Sequence, residues 1–427
     1  MDSRFSLTEA EKAILQGAGG ETLRKVYSSI VRYGEVFGAQ KLITLDGPVH
    51  LVTSFGIPFL SPTFDIIDEL LDAHLIPAEK FTVNPRPMDF KNVPCTLPEK
   101  LAFHLLYRKQ ESYEAQLQSL GIQNSDAYTC SCFLQEVGNT PQFGEILAWS
   151  ESSAVTYANS VIGARTNRNA AMIELLSGVA GKTPLFGFLT DEGRRADCII
   201  DIRCSRRPEA QLLGSAIGRF MMDQVPFIRG LDVFFPDGLD ADCRDYLKDL
   251  GAAAGVNGAL GLFHVENLTP EAVNYGSELV KKGAPLSVIE DDDLKGLYHG
   301  FPVLWSAPAA QAHMAFVGCP HLSQEQLQEW LDAILHRLEQ EQYESCLIPV
   351  VLTVPPAIEK SIPSHDRSLW ALKGIHISSI CPLLYMSNPL CARKRIITNS
   401  NKLRGYSTAR YYSDWDLLNQ IVGGQSA

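Results

Sequence analysis

The sequence predicts an α/β protein in which strands and helices alternate along the chain and pack in layers. Between Lys182 and Gly258, short apolar runs such as DCIIDIRC alternate with helical stretches such as EAQLLGSAIGRFMM, a pattern typical of strands joined by helices. Later, a strand-like segment, MAFVG, precedes the amphipathic HLSQEQLQEWLDAILHRLEQEQ, and Ser323 or a neighbour is expected to cap that helix. CLIPVVLTVPP predicts a buried strand.

The remaining elements follow from local signals, beginning at the N-terminus. SLTEAEKAILQG predicts a helix that Ser6 or Thr8 caps, with acidic residues in its first turn. KLITLDG and VHLVTSFGIP predict strands, DIIDELLDAHL predicts a helix, and LAFHLLYRKQESYEAQLQSLG predicts the longest helix of this half. GIHISSICPLLYM and KRIITNSNK each predict a strand that leads into a polar turn. Without a repeat or a low-complexity linker, residues 1–427 are treated as one region of two or three α/β subdomains.

Composition excludes several classes of protein. The net charge of −12 and the absence of a long basic block argue against a nucleic-acid surface. No run of 18 apolar residues and no apolar leader occur, so neither a membrane span nor secretion is expected. These features predict a cytoplasmic protein whose ten cysteines are mostly small buried residues rather than disulfides.

Three cysteines share one context, an apolar run followed by a polar or turn residue. They are Cys130 in DAYTCSCF, Cys319 in AFVGCPHLS and Cys381 in SSICPLLY. Two precede proline, which places them at a turn where an element ends, and such loop ends gather ligand sites in layered α/β sheets. Three thiolates brought together suit an iron–sulfur cluster that leaves one iron open. The alternative is that these cysteines are ordinary packing residues. The sequence has no CxxC…CxxC pattern, which would indicate a metal site. Cys130 and Cys132 could also point to one face of a strand for packing alone.

The stretch SESSAVTYANSVIGARTNR, residues 150–168, concentrates small and polar residues. Arg165 and Arg168 are suited to bidentate binding of a carboxylate or phosphate. Short hydrogen-bonding side chains accompany them: Ser152, Ser153, Asn159, Ser160, Thr166 and Asn167. From the residues alone, the stretch is either the wall of a binding pocket or a helix with a small-residue packing face and polar caps.

Together these segments resemble the aconitase X family, the divergent branch of the aconitase superfamily. The resemblance extends over nearly the whole chain and rests on GNTPQFGEILAW, ESSAVTYANSVIGARTNR, TDEGRRAD, NGALGLFHVENLTPEA, VGCPHLS, ICPLLYMSNP and TNSNK. It implies an aconitase-like fold of layered α/β domains around a central cluster cleft. It also implies that residues 150–168 form a pocket wall around the cluster and the substrate.

The resemblance implies an iron–sulfur cluster of open nuclearity, held by Cys130, Cys319 and Cys381. Many relatives read Cys-Thr-Pro where this chain reads Cys130-Ser131-Cys132, which leaves open which of that pair binds iron. The superfamily adds a smaller swivelling domain, fused or as a separate subunit. The segments present here resemble the large part alone, so a separate small swivel-domain subunit is the expected partner.

The implied reaction is elimination of water from a β-hydroxy acid, with an open iron that polarises the leaving hydroxyl. Ser54, Glu151 and Lys402 are the candidate catalytic residues. The alternatives are that Glu151 is a buried partner of an arginine and that Lys402 is an ordinary surface lysine. Family members act on cis-3-hydroxy-L-proline, the substrate predicted here, or on mevalonate 5-phosphate, the alternative. A protein of another class, a non-catalytic cluster-binding or regulatory protein, is the third hypothesis.

Overall fold

The computed structural model of the protein describes residues 5–423. Within them, helices alternate with strands in mostly parallel sheets, which confirms the α/β prediction. The helices span Glu9–Leu15 (α1), Glu21–Val36 (α2), Ser61–Asp72 (α3), Leu97–Leu106 (α4), Gln110–Leu120 (α5), Ser152–Tyr157 (α6), Ile173–Ala180 (α7), Ala210–Met221 (α8), Ala241–Asn257 (α9), Pro270–Tyr275 (α10), Asp291–His299 (α11), Gln324–Gln340 (α12), Pro356–Ser361 (α13), Ser364–Leu372 (α14), Pro382–Met386 (α15), Asn401–Tyr406 (α16) and Asp414–Val422 (α17).

The strands are short. They span Leu42–Thr44 (β1), His50–Leu51 (β2), Thr82–Val83 (β3), Lys182–Pro184 (β4), Cys198–Arg203 (β5), Pro226–Arg229 (β6), His264–Val265 (β7), Leu286–Glu290 (β8), Met314–Val317 (β9), Val350–Thr353 (β10), Ile375–Ser378 (β11), Ile396–Thr398 (β12) and Arg410–Tyr411 (β13). Strand β1 pairs with β4 antiparallel, and β2 pairs with β3 parallel. Both small pairs lie in the N-terminal part, around a core that α2 and α3 cover with apolar side chains.

A parallel sheet of order β7-β6-β5-β8 forms the middle of the chain. Helices α8 and α9 pack closely because α8 carries glycine at the contact. A Cβ atom on Gly214 would lie 2.2 Å from the Leu250 carbonyl oxygen, and one on Gly218 would lie 2.5 Å from that of Ala254. Such distances exclude any larger residue, so the helical pair depends on these two positions.

A second parallel sheet, of order β11-β10-β9-β12-β13, follows in the C-terminal part. The carboxyl ends of parallel strands lie at the same edge of a sheet. The chain leaves β9 into Cys319, β11 into Cys381 and β12 into the segment that leads to Lys402. This topology brings Cys319, Cys381 and the segment that leads to Lys402 to one edge of the sheet, where the strand-end argument places the two cysteines. Cys130, the third cysteine of that argument, does not follow a strand of this sheet.

Two helix starts confirm the capping predictions. Thr8 caps α1 and Ser323 caps α12, each in a capping box with the side chain at the third helical position. The single long helix predicted over LAFHLLYRKQESYEAQLQSLG is wrong, because the chain forms α4 and α5 with a break around Tyr107 and Lys109. Gly56 packs against the Lys109 backbone at the break, where an added Cβ atom would lie 2.5 Å from the carbonyl carbon. This tertiary contact overrides the helical pattern.

The described helices include none long and apolar enough to span a membrane.

Candidate active site

Cys130, Cys319 and Cys381 lie on three separate segments. Cys319 follows Gly318, whose φ of +99° and whose approach to the Thr353 carbonyl oxygen, 2.5 Å from an added Cβ atom, require glycine. Cys381 occupies the N-cap position of α15, and Cys130 follows the segment that bridges to β3 at Val83. None of the three is in a disulfide.

The three thiols interact electrostatically with one another and with Lys402. Burial raises the pKa of each thiol, that of Cys381 to about 12. Cys381 and Cys130 raise the pKa of Cys319 further, and the Lys402 ammonium lowers the pKa of all three. The arrangement therefore places one cation beside three cysteines, where it favours their thiolate forms.

Cys132 has a different environment from Cys130. Its side chain is fully buried in the hydrophobic core that includes Phe133 and Trp149. Burial raises its pKa, and a hydrogen bond with Thr82 opposes that shift. This environment favours a packing role for Cys132 and groups Cys130 with the two cysteines at the ends of β9 and β11.

The three cysteines fit an iron–sulfur cluster by the chemistry of their side chains. All three are free cysteines, and cysteine thiolates are the usual ligands of such clusters. A set made only of free, soft thiols also suits iron–sulfur chemistry better than a hard cation.

Lys402 and Glu151 form a buried ion pair beside these cysteines. Each side chain is 8% exposed, and Lys402 Nζ donates to Glu151 Oε1 and to Ser153 Oγ, the latter at 3.0 Å. Glu151 is the N-cap of α6 and accepts from the Ser153 hydroxyl at 2.8 Å. Two of the three candidate catalytic residues are therefore in contact, although 251 residues separate them in the chain.

The pair is ionised. Burial disfavours the Glu151 carboxylate, but the Lys402 charge and hydrogen bonds from Lys402, Ser153 and Asn84 hold its pKa at about 2. Burial also disfavours the ammonium, yet the Glu151 carboxylate and the neighbouring cysteines raise the pKa of Lys402. Because the described residues supply Lys402 with only two acceptors, one of its three N–H bonds remains for a ligand.

A second layer of side chains orients Glu151. Asn84 Nδ2 donates to Glu151 Oε2 at 3.2 Å, and Asn84 Oδ1 accepts from His50 Nε2 at 3.1 Å. His50 Nδ1 then accepts from the Thr82 hydroxyl at 2.9 Å. Burial lowers the His50 pKa to about 4, so this ring is neutral. Ser54, the third candidate catalytic residue, is fully buried and donates to the Pro85 carbonyl at 2.7 Å, next to Asn84 in the chain.

The rest of the predicted pocket wall is mostly engaged in structural hydrogen bonds. Asn159 Oδ1 accepts from the Thr166 amide at 2.9 Å, and Asn159 Nδ2 donates to the Thr166 carbonyl at 2.8 Å. Ser160 Oγ accepts from the Phe263 amide at 2.9 Å, and Asn167 Nδ2 donates to the Phe186 carbonyl at 3.0 Å. Only Ser153 of the predicted hydroxyl and amide side chains contacts the ion pair. Ser152 begins α6 and is half-buried.

Arg165 and Arg168, the two arginines of the predicted pocket wall, differ in their contacts. Arg165 forms an ion pair with Asp191 at 2.6 Å. Arg168 is half-buried, and its aliphatic part packs near Gly261. Within residues 5–423, its guanidinium has neither an ion-pair nor a hydrogen-bond partner. Next to it, Asn169 Nδ2 donates to the Trp149 carbonyl at 3.1 Å, two residues before Glu151. Arg168 is therefore the arginine of this stretch that retains its capacity for an anion.

Sequence reasoning does not single out Asn84 or His321. Asn84 lies in a proline-rich loop that predicts no function. His321 lies inside VGCPHLS, two residues after Cys319, and its position in that motif was the available signal.

The chain is similar to known proteins over most of its length. Residues 4–192 match the family model "Aconitase X first domain", and residues 196–299 match "Aconitase X second domain". The chain belongs to the aconitase X family. It is also similar to a crystal structure of Thermococcus kodakaraensis aconitase X in the holo-form, with a TM-score of 0.80 and 26% identity over 98% of this chain and 100% of that one. The aconitase-like fold predicted from the sequence is thereby confirmed.

Aconitase X relatives are named as dehydratases. This chain is 30% identical to the phosphomevalonate dehydratase large subunit of Thermococcus kodakarensis, over 83% of this chain and 82% of the relative. It is 26% identical to the cis-3-hydroxy-L-proline dehydratase of Pseudomonas aeruginosa, over 100% of this chain and 71% of the relative. The protein is therefore a dehydratase, a hydro-lyase of the aconitase X family.

Proposed function

We propose that the chain is the catalytic large subunit of a dehydratase that converts cis-3-hydroxy-L-proline to Δ1-pyrroline-2-carboxylate. The observation that carries this substrate is the charge of the site. The charge of Glu151 balances that of Lys402, and the charge of Asp191 balances that of Arg165, so the net charge of these groups together with Arg168 is one positive charge. That balance suits a substrate with one carboxylate better than one with both a carboxylate and a phosphate.

In this reaction a base removes the proton at C2 and the hydroxyl at C3 leaves as water. The enamine that forms then tautomerises to the pyrroline. An iron–sulfur cluster held by Cys130, Cys319 and Cys381 would supply a Lewis acid for the departing hydroxyl. Lys402 offers its remaining N–H to the substrate carboxylate and stabilises the charge that develops there as the proton leaves.

Glu151 has two tasks in this scheme. At rest it keeps Lys402 protonated, and its pKa of about 2 makes it a weak base. A substrate carboxylate that binds Lys402 competes with Glu151 for the ammonium. Because burial by itself raises the pKa of Glu151, weaker contact with Lys402 makes the carboxylate more basic. Glu151 then becomes the candidate base for the C2 proton, and Ser54 remains the second candidate.

Mevalonate 5-phosphate is the second candidate substrate, favoured by the relatives from Thermococcus kodakarensis and Methanosarcina mazei, which are 30% and 31% identical and carry that function in their names. Purified holoenzyme is tested with each substrate. Pyrroline formation is followed with a coupled reductase, and loss of water from mevalonate 5-phosphate is followed by mass spectrometry. Dehydration of the phosphate alone would refute the hydroxyproline assignment.

Arg168→Ala is expected to lower kcat/KM for hydroxyproline at least ~30-fold, because loss of a charged partner for a bound anion costs about 2–5 kcal/mol. Arg165→Ala is expected to cost less, since Asp191 already holds that guanidinium. Arg229→Ala, which breaks an ion pair with Asp201 at the end of β6, is the control. Steady-state kinetics and thermal unfolding are measured together. Equal kinetics in Arg168→Ala and Arg229→Ala would contradict the assignment.

The proposed partner is a separate small subunit, and an exposed face of α4 supports it. Leu97, Leu101 and Leu105 recur every fourth residue and are 81%, 72% and 69% exposed, which forms one apolar stripe. The opposite face of α4 packs through Phe103 in the same core as Cys319. A protein docked on the stripe would therefore cover the helix that packs on the core containing Cys319.

Leu101→Asp is expected to weaken binding of the small subunit about 10-fold or more, because burial of a leucine contributes about 1.5–3 kcal/mol. Leu372→Asp replaces an equally exposed leucine on α14 and is the control. Binding is measured by calorimetry with the purified small subunit, and pyrroline formation is measured at limiting small subunit. Unchanged affinity in Leu101→Asp, or self-association of the chain through this stripe, would show that the stripe serves another purpose.

A further inference from the structure

His321 touches the segments of all three cysteines. It lies two residues after Cys319 and is fully buried. Its Nε2 is 3.1 Å from the carbonyl oxygen of Ile380, the residue before Cys381. Its Nδ1 is 2.9 Å from the hydroxyl of Thr129, the residue before Cys130. One imidazole ring thus spans two segments that are distant in sequence, from a position on the third.

The partners fix the direction of these bonds. A carbonyl oxygen only accepts, so His321 Nε2 carries the proton and donates to Ile380. Nδ1 of the neutral ring then accepts, and the Thr129 hydroxyl donates to it. The same hydroxyl oxygen accepts the Ser131 amide at 3.1 Å. Hydrogen bonds therefore connect the Cys130 loop to the Cys381 loop through the ring, and each donor in this series has an acceptor.

The backbone of His321 adds three contacts. Its amide donates to Cys130 Sγ at 3.3 Å, and its carbonyl accepts from Ser131 Oγ at 2.9 Å. Lys248 Nζ also donates to that carbonyl, at 3.3 Å. Lys248 is 1% exposed and forms an ion pair with Asp245 on the same helix, α9. The backbone at His321 is thus anchored to α9, while its ring bonds to the segments of Cys130 and Cys381.

We propose that His321 is a positioning residue that holds the three cysteine loops in register for the iron–sulfur cluster, and that its amide tunes the sulfur of Cys130. The proposal rests on the cluster assigned above to these cysteines. Cluster ligands on separate loops must be held at fixed separations. Residues that hydrogen-bond to metal ligands, or to the loops that carry them, orient those ligands. An N–H bond to a ligand sulfur also stabilises its negative charge and so raises the reduction potential of a cluster.

The main test compares three variants after anaerobic reconstitution with iron and sulfide. His321→Ala removes both ring bonds, His321→Asn can keep the one to Thr129, and His321→Gln can keep the one to Ile380. Iron affinity is expected to fall about 10–100-fold in His321→Ala, with His321→Asn and His321→Gln in between. The midpoint reduction potential of the cluster is also expected to fall in His321→Ala, because the Cys130 loop moves away from the backbone amide of residue 321.

His264→Ala is the matched control, because His264 is also buried and its Nε2 bonds a carbonyl, that of Arg194, at 2.7 Å, but in the middle sheet. It is expected to lower thermal stability and to leave the iron content and the potential unchanged. If His321→Ala behaves like His264→Ala in all three measurements, His321 is an ordinary core histidine and the proposal is wrong.

A second measurement keeps the proposal testable without the cluster. In iron-free protein, alkylation of Cys130 and Cys381 by iodoacetamide is followed by mass spectrometry. The rate is expected to rise about 10-fold in His321→Ala, because loss of two hydrogen bonds makes local opening of the loops easier. Thr129→Val removes one of these bonds and is used if His321→Ala does not fold. Unchanged rates in the variant that folds would overturn the proposal, whereas an unsubstituted protein that takes up no iron would refute only the cluster.

Discussion

Protein in which serine or alanine replaces Cys319 is expected to lose its visible absorption and to retain only background iron and sulfide after anaerobic reconstitution. Cys319 is the thiol whose pKa both Cys381 and Cys130 raise, so its charge interacts with both of the other cysteines. Removal of one of three ligands leaves two, too few to hold a cluster that depends on cysteine thiolates. Cys381→Ala and Cys130→Ala are expected to have the same effect.

Cys346→Ser is the matched control, because Cys346 is also a free cysteine of the C-terminal part and is half-buried. Its thiol pKa is raised by burial, away from the Lys402 site, and it packs against Gly374. Cys132→Ser tests the neighbour of Cys130. Both are expected to keep their iron, although Cys132→Ser places a hydroxyl in a fully buried core and lowers stability. An iron-replete Cys319→Ala variant would refute the cluster assignment.

The sequence predicts best what local rules determine. Thr8 and Ser323 cap the helices they precede because a hydroxyl followed three residues later by Glu or Gln satisfies the first amides. The strand ends at Cys319 and Cys381 follow from apolar runs that stop before proline. Their meeting at one edge follows from parallel pairing, a consequence of strands that alternate with helices.

Tertiary contacts determine what the sequence does not predict. The pattern of α4 and α5 is continuous, yet the chain breaks between them where Gly56, a residue of another segment, packs against the Lys109 backbone. Arg165 and Arg168 are the same residue type, and their contacts distinguish them, because Arg165 binds Asp191 and the Leu189 carbonyl. Lys402 and Glu151 meet across 251 residues, a contact that no spacing predicts. The sequence names these residues as candidates, whereas the contacts give each of them a physical role.

Glu151→Gln and Lys402→Met are each expected to slow turnover strongly. Each is also expected to destabilise the protein by about 3–5 kcal/mol, because each leaves one buried charge without its partner. In Lys402→Met, burial is the dominant influence left on Glu151, so its pKa rises and the carboxylate takes up a proton. Dehydration rates are expected to fall about 10²–10⁴-fold, the usual contribution of a positioned acid or base. Single-turnover kinetics and denaturant unfolding of the holoenzyme measure the two effects.

The double variant Glu151→Gln/Lys402→Met separates stability from catalysis. Removal of both charges leaves no unpaired ion, so most of the lost stability is expected to return, whereas turnover is not. A matched pair elsewhere, Glu99 and Lys394, has side chains 8% and 18% exposed and N···O of 2.7 Å. Its double variant, Glu99→Gln/Lys394→Met, is expected to keep turnover. If turnover returns with stability in the Glu151→Gln/Lys402→Met protein, the pair is structural and the base lies elsewhere. Ser54→Ala is then the next variant, because Ser54 lies beside the loop of Asn84 that binds Glu151.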